Sequence, residues 1–298
     1  MSAKNSALTE LPEATRSTGE FHRTVKVLFK RKVIVFSFIV ILITIICAIF
    51  APLIAPYDPY KPNPRNAMAP PSWQHLLGTD PIGRDLLSRL IFGTRTALLV
   101  GLIATGIASL LGMTMGMIAG YFTGWVSFLI MRIVDGLISF PFLVLALLLG
   151  ALLGGGLTNI MIAIGIGMSA MYARVMFGLV LSIKNNDYIT AARAYGASNM
   201  RIMVRHVLVN CFPPFMVLIT INMGGAIMVE AALSYLGLGI SPPGAAWGNM
   251  VNAGFRYLLT HPVFAIVPGI AIALVVYSFN MLGDGLRDAL DPRLRGTL

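Results

Sequence analysis

The stretch Asp187–Pro214, DYITAARAYGASNMRIMVRHVLVNCFPP, is the one long polar interruption in the second half of a very apolar chain. Its arginines, its central Gly196 and its closing Pro213-Pro214 predict two short helices that meet at a bend. Because no lipid core accepts such a segment, we expect it to lie outside the membrane but beside it. Its character is that of a surface that a partner protein binds.

The composition indicates the class of protein. Apolar residues make up 57% of the 298 residues and charged residues only 11%. One soluble core cannot hide this much apolar surface, so lipid must solvate much of it, and the chain is predicted to be an integral membrane protein. The net charge of +10 does not indicate nucleic acid, because the basic residues cluster beside apolar runs without interleaved aromatics. Cys47 and Cys211 lie far apart, in or against predicted spans, which disfavours a disulfide.

On both sides of the 187–214 stretch, the apolar runs predict an all-α polytopic bundle of six transmembrane helices. No charged residue occurs in 96–131, which is too long for one span, so a tight turn at Tyr121–Trp125 is expected to divide it. The predicted spans are residues 33–57, a second span that ends at this turn, then 126–149, 158–183, 215–237 and 263–283. The 187–214 stretch therefore joins helices four and five.

The Lys and Arg residues near the spans predict the orientation, because basic residues concentrate on the cytoplasmic side. Both termini and the 187–214 stretch are then cytoplasmic. The chain divides into a cytoplasmic tail with a basic amphipathic segment, a first transmembrane helix, an extracytoplasmic segment, a core of five transmembrane helices and a second cytoplasmic tail, at residues 1–32, 33–56, 57–94, 95–285 and 286–298. Residues 1–20 fit a solvated tail equally well. A cleavable signal peptide is disfavoured, because the uncharged run 33–57 is longer than such signals carry.

Two local features are predicted near the second span. In the extracytoplasmic segment, Thr79 or Asp80 is expected to cap a short amphipathic helix with Pro81 near its start. The second span carries small residues at four-residue spacing, which predicts close packing against another helix. These residues are Gly112, Gly116 and Gly120.

Four charged residues lie in or near the predicted spans. Arg132 and Asp135, three residues apart, are expected to pair on one helix face. Arg174 and Glu230 each cost about 2.5 to 3.5 kcal/mol at the centre of a membrane helix, so both should face the bundle interior, water or a headgroup region. Glu230 is a candidate pathway residue that meets an amine or a cation, with a purely structural hydrogen bond as the alternative.

The segment 237–262 is rich in proline and glycine and has few charges, which predicts a loop dipping against the membrane. Pro242, Pro243 and Trp247 are candidates for an external gate or a contact with a receptor. Simple anchoring at the membrane interface is the equally good alternative for these residues.

Motifs for catalysis are absent from the sequence. There is no G-x-x-x-x-G-K-[ST] phosphate loop, no H-E-x-x-H and no G-x-S-x-G. The four histidines form no metal-ligand spacing. The chain is therefore predicted to be non-catalytic, with no catalytic residue, no metal site and no cofactor of its own, and its glycine-rich helices favour a transport pore.

Several motifs carry a resemblance to a known family. Ala191-Ala192, Gly196 and Leu208 resemble the EAA loop of the permease subunits of bacterial ABC importers, although Thr190, His206 and Val209 depart from that pattern. The wider strings look like the C-type permease of dipeptide, oligopeptide and nickel importers, apart from Ala245-Ala246 where that family often has Pro-Glu. These strings are LLGTDPIGRDLLSRLIFGTR, YITAARAYGAS, ALSYLGLGISPP and NMLGDGLRDALDP.

The resemblance implies a bacterial inner-membrane location and a set of partners. These are a second, homologous permease, two ATPase subunits that carry ATP and magnesium, and an extracytoplasmic substrate-binding protein. The EAA loop is then expected to sit in a cleft of the ATPase and to move as a rigid body when the nucleotide-bound ATPases close. The residues assigned to this coupling are Ala191, Ala192, Arg193, Gly196, Ala197, Ser198, Arg201 and Arg205.

Peptides are favoured as the cargo because no His or Cys cluster marks a metal path, while nickel or another small solute stays open. The alternative from a different class is an autonomous secondary transporter. It would use a relay of charged residues within the spans, namely Arg132, Asp135, Arg174 and Glu230.

Overall fold

The computed structural model describes residue 29 and residues 31–290, and this part of the chain is built from helices joined by loops. The predicted amphipathic segment within residues 1–28 and the end of the second tail, 291–298, lie outside the described residues. The helices are α1 Lys32–Ile54, α2 Leu86–Tyr121, α3 Trp125–Ile138, α4 Phe142–Leu152, α5 Leu157–Ile183, α6 Asp187–Ala194, α7 Asn199–Ile202, α8 Val209–Tyr235, α9 Trp247–Phe255 and α10 Val263–Leu290. A short 3₁₀ turn, Pro64–Asn66, lies between α1 and α2.

Five long helices are apolar enough to cross a membrane, and the bent pair α3 and α4 makes a sixth if it counts as one span. The predicted bundle of six spans is thereby confirmed in kind. The predicted continuous span 126–149 is wrong, because its two halves meet at an angle of 94°. Pro141 stands at the break in extended backbone, and a proline ring does not allow the helix to continue unbroken through it.

The second span differs from its prediction at its start. No short helix is capped by Thr79 or Asp80; one continuous helix runs from Leu86 to Tyr121, with Asp85 accepting from the Ser88 N–H at 2.8 Å. The Asp80 side chain instead accepts from the backbone N–H groups of Ile82 and Arg84 at 3.0 and 2.9 Å. These bonds close a tight loop before the helix, so Pro81 lies outside it.

The α2–α5 interface confirms the predicted close packing of small residues. A Cβ atom on Gly112 or Gly116 would overlap the α5 backbone, and one on Gly120 would crowd the Val180 side chain. The two helices approach backbone to backbone along this stripe. Behind it, the rings of Tyr172 and Phe215 meet edge to face at 5.6 Å between centroids and join α5 to α8.

The fifth span begins earlier than predicted. The helix is continuous from Asn199 to Tyr235, through a π-helical segment at Met203–Leu208, so Pro213 and Pro214 lie inside it and do not close the polar stretch. Prolines are tolerated inside membrane helices where neighbouring groups satisfy the freed backbone. One turn before the prolines, the Asn210 side chain donates to the His206 carbonyl at 2.6 Å.

The last helix is also longer than its predicted span and carries the polar residues after 283. At its far end Asp288 pairs with Arg31, just before α1, at 2.7 Å. The same end of the bundle holds Tyr121 and Asn199, which are hydrogen-bonded to each other at 2.9 Å. The beginning of α1 and the end of α10 therefore lie at the same end of the bundle as α6 and α7.

Candidate functional site

The candidate site is the bend segment, residues 187–202, in which α6 and α7 meet at Gly196. Gly196 has φ +78°, the left-handed region that favours glycine, so it ends α6 without strain. The N–H of Ala197 bonds the Ala192 carbonyl and that of Gly196 bonds the Arg193 carbonyl, which together form a Schellman motif. The predicted break at Gly196 is confirmed.

The two short helices are capped differently at their amino ends. Ser198 precedes α7, and its hydroxyl accepts from the Arg201 N–H at 3.4 Å. Asn186 occupies the cap position of α6 without a side-chain bond, and Asp187 is already the first helical residue. The acidic side chain there still favours the helix electrostatically, because the amino end of a helix carries partial positive charge.

The underside of the bend segment is tied to the bundle. Ile189 and Ile202 are fully buried in the main apolar core. Beside them, the Tyr121 hydroxyl at the end of α2 donates to Asn199 Oδ1 at 2.9 Å, and Lys184 Nζ donates to the Gly120 carbonyl at 2.8 Å. The bend segment is thus attached to the end of α2.

The outer side of the bend segment is apolar at its tip and basic around it. Tyr195 is 92% exposed, and Met200 in α7 is also exposed. Arg193 lies 6.0 Å from the centroid of the Tyr121 ring. None of the three arginines Arg193, Arg201 and Arg205 forms an ion pair within residues 31–290. Arg201 lies in α7 and Arg205 in the π segment that follows it, and both are exposed.

The charged residues of the spans do not pair as predicted. Asp135 pairs with Arg174 of α5, whereas Arg132 lies over the Phe128 ring at 4.9 Å. The cause is the packing of α3 across α5, which buries Val134 and brings Asp135 to Arg174. The predicted Arg132–Asp135 pair is therefore wrong.

Glu230 is buried in α8, with 2% of its surface exposed. It accepts from the Ser234 hydroxyl, one turn further along, at 2.6 Å. This is the structural hydrogen bond that was its alternative role, and a role in the pathway stays a prediction.

The opposite end of the bundle carries a polar clamp around Arg89. Its guanidinium donates to the carbonyls of Pro59 at 3.0 Å, Pro243 at 3.3 Å and Gly244 at 3.1 Å. Trp247, the candidate for a gate or receptor contact, is 3% exposed, and its indole donates to the Leu90 carbonyl at 2.9 Å. Pro242 and Pro243 are exposed beside it. A gate or receptor contact at these prolines stays a prediction, while the buried Trp247 holds α9 against α2.

Comparisons with known proteins place the chain in a family. Residues 112–296 match the family described as binding-protein-dependent transport system inner membrane component, and residues 20–71 match the N-terminal TM domain of oligopeptide transport permease C. The chain belongs to this permease family. It is a multi-pass membrane protein and a transport permease subunit, which is consistent with a non-catalytic role.

Relatives of this permease match along most of its length. It is 41% identical over 270 residues to the dipeptide transport system permease protein DppC of Alkalihalophilus pseudofirmus, with 91% of this chain and 89% of the relative covered. It is 43% identical to the di/tripeptide permease DppC of Pseudomonas aeruginosa, with 85% and 86% covered. It is 41% identical to the glutathione permease GsiD of Escherichia coli, with 86% and 85% covered.

Among solved structures, the permease matches the inward-facing MetNI methionine ABC transporter with a TM-score of 0.57 and 19% identity, over 69% of this chain and 98% of that chain. At this identity the match shows the fold.

Sequence reasoning missed some residues that position the site in this permease. Tyr121 fastens the bend segment, and Lys184 bonds the end of α5 to the end of α2 beside it. In the sequence these two residues look like the edge of a turn and one basic residue among several. The separation of 78 residues between Tyr121 and its partner Asn199 explains this, since no local pattern reports such a contact.

Proposed function

We propose that this permease forms half of the translocation pathway of an ATP-driven importer of peptides in the bacterial inner membrane. It works with a second, homologous permease, two ATPase subunits that bind ATP and magnesium, and an extracytoplasmic binding protein. Membership of the family supports this proposal, and so do the cargoes for which the relatives are named: dipeptides, di- and tripeptides, and glutathione.

The main structural support for this proposal comes from the bend segment. Tyr195 is almost fully exposed, although the segment that carries it is held to the bundle by buried side chains and hydrogen bonds. Exposing an aromatic ring to water is unfavourable, and exposed aromatic side chains are typical anchors of protein interfaces. Exposed Arg193, Arg201 and Arg205 around the tip fit acidic groups on the partner. We assign this tip to a cleft in the ATPase subunit.

Because α7 continues into α8, a movement of the bend segment can be transmitted to the transmembrane helices. A displacement of the tip acts on a continuous helix that runs from Asn199 to Tyr235, and on α2 through the Tyr121–Asn199 bond. Closure of the ATPases then moves α2 and α8 together, as in rigid-body switching between inward-open and outward-open states. This motion needs both termini and the bend segment in the cytoplasm, which the basic residues near the spans support.

The test replaces Gly196 with proline in the assembled importer. Proline requires φ near −65°, so it cannot adopt the +78° at this position. We expect the ATPase subunits to co-purify poorly and ATP-driven peptide uptake to fall at least about tenfold, as a 1.4 kcal/mol loss of coupling would produce. Tyr195→Ala should weaken ATPase binding without disturbing the backbone.

Gly154→Pro is the matched control, because Gly154 also has a positive φ, +90°, and open space around it, but lies at the opposite end of the bundle. Normal ATPase assembly and uptake in Gly196→Pro would overturn the proposal.

The structure gives less support to the alternative function, an autonomous secondary transporter with a relay of charged residues in its spans. Arg174 pairs with Asp135, and Glu230 with Ser234, and no described hydrogen bond or ion pair joins these two groups. Uptake driven by a proton or sodium gradient in liposomes that contain this chain alone would favour the relay. Competition between peptides and a nickel chelate for uptake by the whole importer decides the cargo.

A further inference from the structure

The further site is the distal cleft, a cavity of about 470 Å³ at the end of the bundle opposite the bend segment. Its walls come from the loop before α2, the end of α8, the loop 236–244 and the helix α9. Cavities of roughly 300 to 1,000 Å³ are typical of small-molecule sites. A volume of this size suits a small solute.

The α9 helix presents opposite faces to the bundle and to the cleft. Trp247, Met250 and Gly254, spaced as on one helix face, are buried against the neighbouring helices. A second face carries three polar residues at positions i, i+3 and i+7, all of which line the cleft. These residues are Asn249, Asn252 and Arg256.

The charges around the cleft leave one accessible cation. Three arginines and one aspartate are in its lining, but Arg84 is bonded to Asp80 at 2.6 Å and Arg89 is used by the clamp of backbone carbonyls. Arg256 is exposed and forms no ion pair within residues 31–290. A guanidinium in this state is suited to a carboxylate, which it can bind through two parallel hydrogen bonds.

The two asparagines provide the opposite chemistry. The Asn249 amide donates to the Ile240 carbonyl and the Asn252 amide to the Tyr235 carbonyl, both at 2.6 Å. These bonds fix which end of each side chain is the amide oxygen. Each Oδ1 accepts no hydrogen bond from the described part of the chain and is able to accept one from an ammonium group.

The spacing of the polar face matches a short peptide. Along a helix, Arg256 lies about 6 Å beyond Asn252 and about 10 Å beyond Asn249, at 1.5 Å per residue. An extended peptide advances about 3.3 to 3.6 Å per residue, so two or three residues span these separations.

We propose that the distal cleft receives a di- or tripeptide with free ends, with Arg256 binding the carboxylate and the amide oxygens of Asn249 and Asn252 accepting from the ammonium. The assignment rests on the proposed function, because it is the cargo of the importer that reaches this end of the molecule. The cleft thereby selects peptides by their charged amino and carboxyl termini, whatever side chains they carry.

The first experiment measures protection of a cysteine in the cleft. Ala253→Cys is placed in a chain that also carries Cys47→Ser and Cys211→Ser, assembled with its second permease and ATPase subunits but without the binding protein. Dialanine should slow maleimide labelling of this cysteine, whereas dialanine amide and N-acetyl dialanine should do so much less. Labelling of Ala67→Cys, exposed at the same end but outside the cleft, should not change.

Arg256→Ala should remove the protection by dialanine, and Lys61→Ala, an exposed cation outside the lining, should keep it. Equal protection by the blocked peptides, or none at saturating dialanine, would overturn the assignment. If peptide uptake is intact in that case, the proposed function stands and only the cleft assignment fails.

The second experiment needs no cysteine. With saturating peptide-loaded binding protein, Arg256→Ala should lower the uptake rate about tenfold, the size expected of one lost charge-assisted hydrogen bond, and Arg256→Lys should recover part of it. The affinity of the peptide-free binding protein for the importer should stay unchanged. A fall in that affinity, or uptake at the normal rate, would show that the cleft does not receive the peptide.

Discussion

Glu230 shows at the scale of a single residue how a buried carboxyl group can serve structure. It is bonded to Ser234 on its own helix, and Ser234 also lines the distal cleft. A polar group that is buried without a partner is costly, whereas a bonded one is tolerated. The bond thus satisfies this carboxyl group within the folded structure.

Replacement of Glu230 by glutamine is therefore expected to preserve both stability and uptake, since the amide oxygen still accepts from Ser234. Glu230→Ala removes the acceptor and leaves a cavity, and it should lower the free energy of unfolding by about 2 kcal/mol. Thermal unfolding in detergent and uptake of several peptides check the two variants. A folded Glu230→Gln importer that had lost uptake would return Glu230 to the pathway.

At the scale of an element, α2 is shaped by where its glycines lie. Gly116 faces α5 so closely that a Cβ would meet the Ala173 carbonyl and the Met176 side chain, whereas Gly106, on the same helix, has open space. An added side chain would therefore disrupt packing at Gly116 but would meet no neighbour at Gly106, ten residues away. In lipid the hydrophobic effect between helices is weak, so van der Waals contact between closely approaching backbones is a main source of their association.

We expect Gly116→Ala to lower the free energy of unfolding by about 1 to 3 kcal/mol, because the α2 and α5 backbones must separate. Gly106→Ala, the matched control, should be neutral or stabilise by up to about 1 kcal/mol through its better helix propensity. Thermal unfolding of the two variants in the same detergent measures the difference. Equal stability would mean that the interface is looser than the structure has it.

At the scale of the whole molecule, the two ends of the bundle have different chemistry. One end has a rigid, exposed bend segment held by buried isoleucines and by the Tyr121–Asn199 bond. The other has the Arg89 clamp and the distal cleft. The long helices α2 and α8 join these ends, so a force on the bend segment reaches the cleft through them.

Tyr121→Phe is expected to separate assembly from transport. The variant keeps the aromatic ring beside Arg193 but loses one hydrogen bond, worth about 1 kcal/mol. The ATPase subunits should still co-purify, while the number of peptides imported per ATP falls severalfold. Tyr277→Phe is the control, because Tyr277 is exposed and its hydroxyl makes no hydrogen bond among residues 31–290. Unchanged uptake per ATP in Tyr121→Phe would show that the bend segment moves independently of α2.

Prediction from sequence succeeded where a local rule decides the outcome. The left-handed Gly196 and the small-residue stripe from Gly112 to Gly120 are dictated by backbone geometry and by spacing along one helix. It failed where two local rules competed. The prolines at 213 and 214 suggested a helix end, but a π segment and packing against the bundle kept the helix intact.

The sequence alone thus determined a membrane bundle, the position of its bend segment and, through the motifs, the family. These follow from lipid solvation, which acts on every apolar run, and from the conformational preferences of single residues. Only the tertiary structure decided that Asp135 pairs with Arg174, that Trp247 is buried against α2, and that Arg256 shares a cleft with two asparagines. Such contacts depend on how helices cross, and crossing geometry is set by packing between residues far apart in the chain.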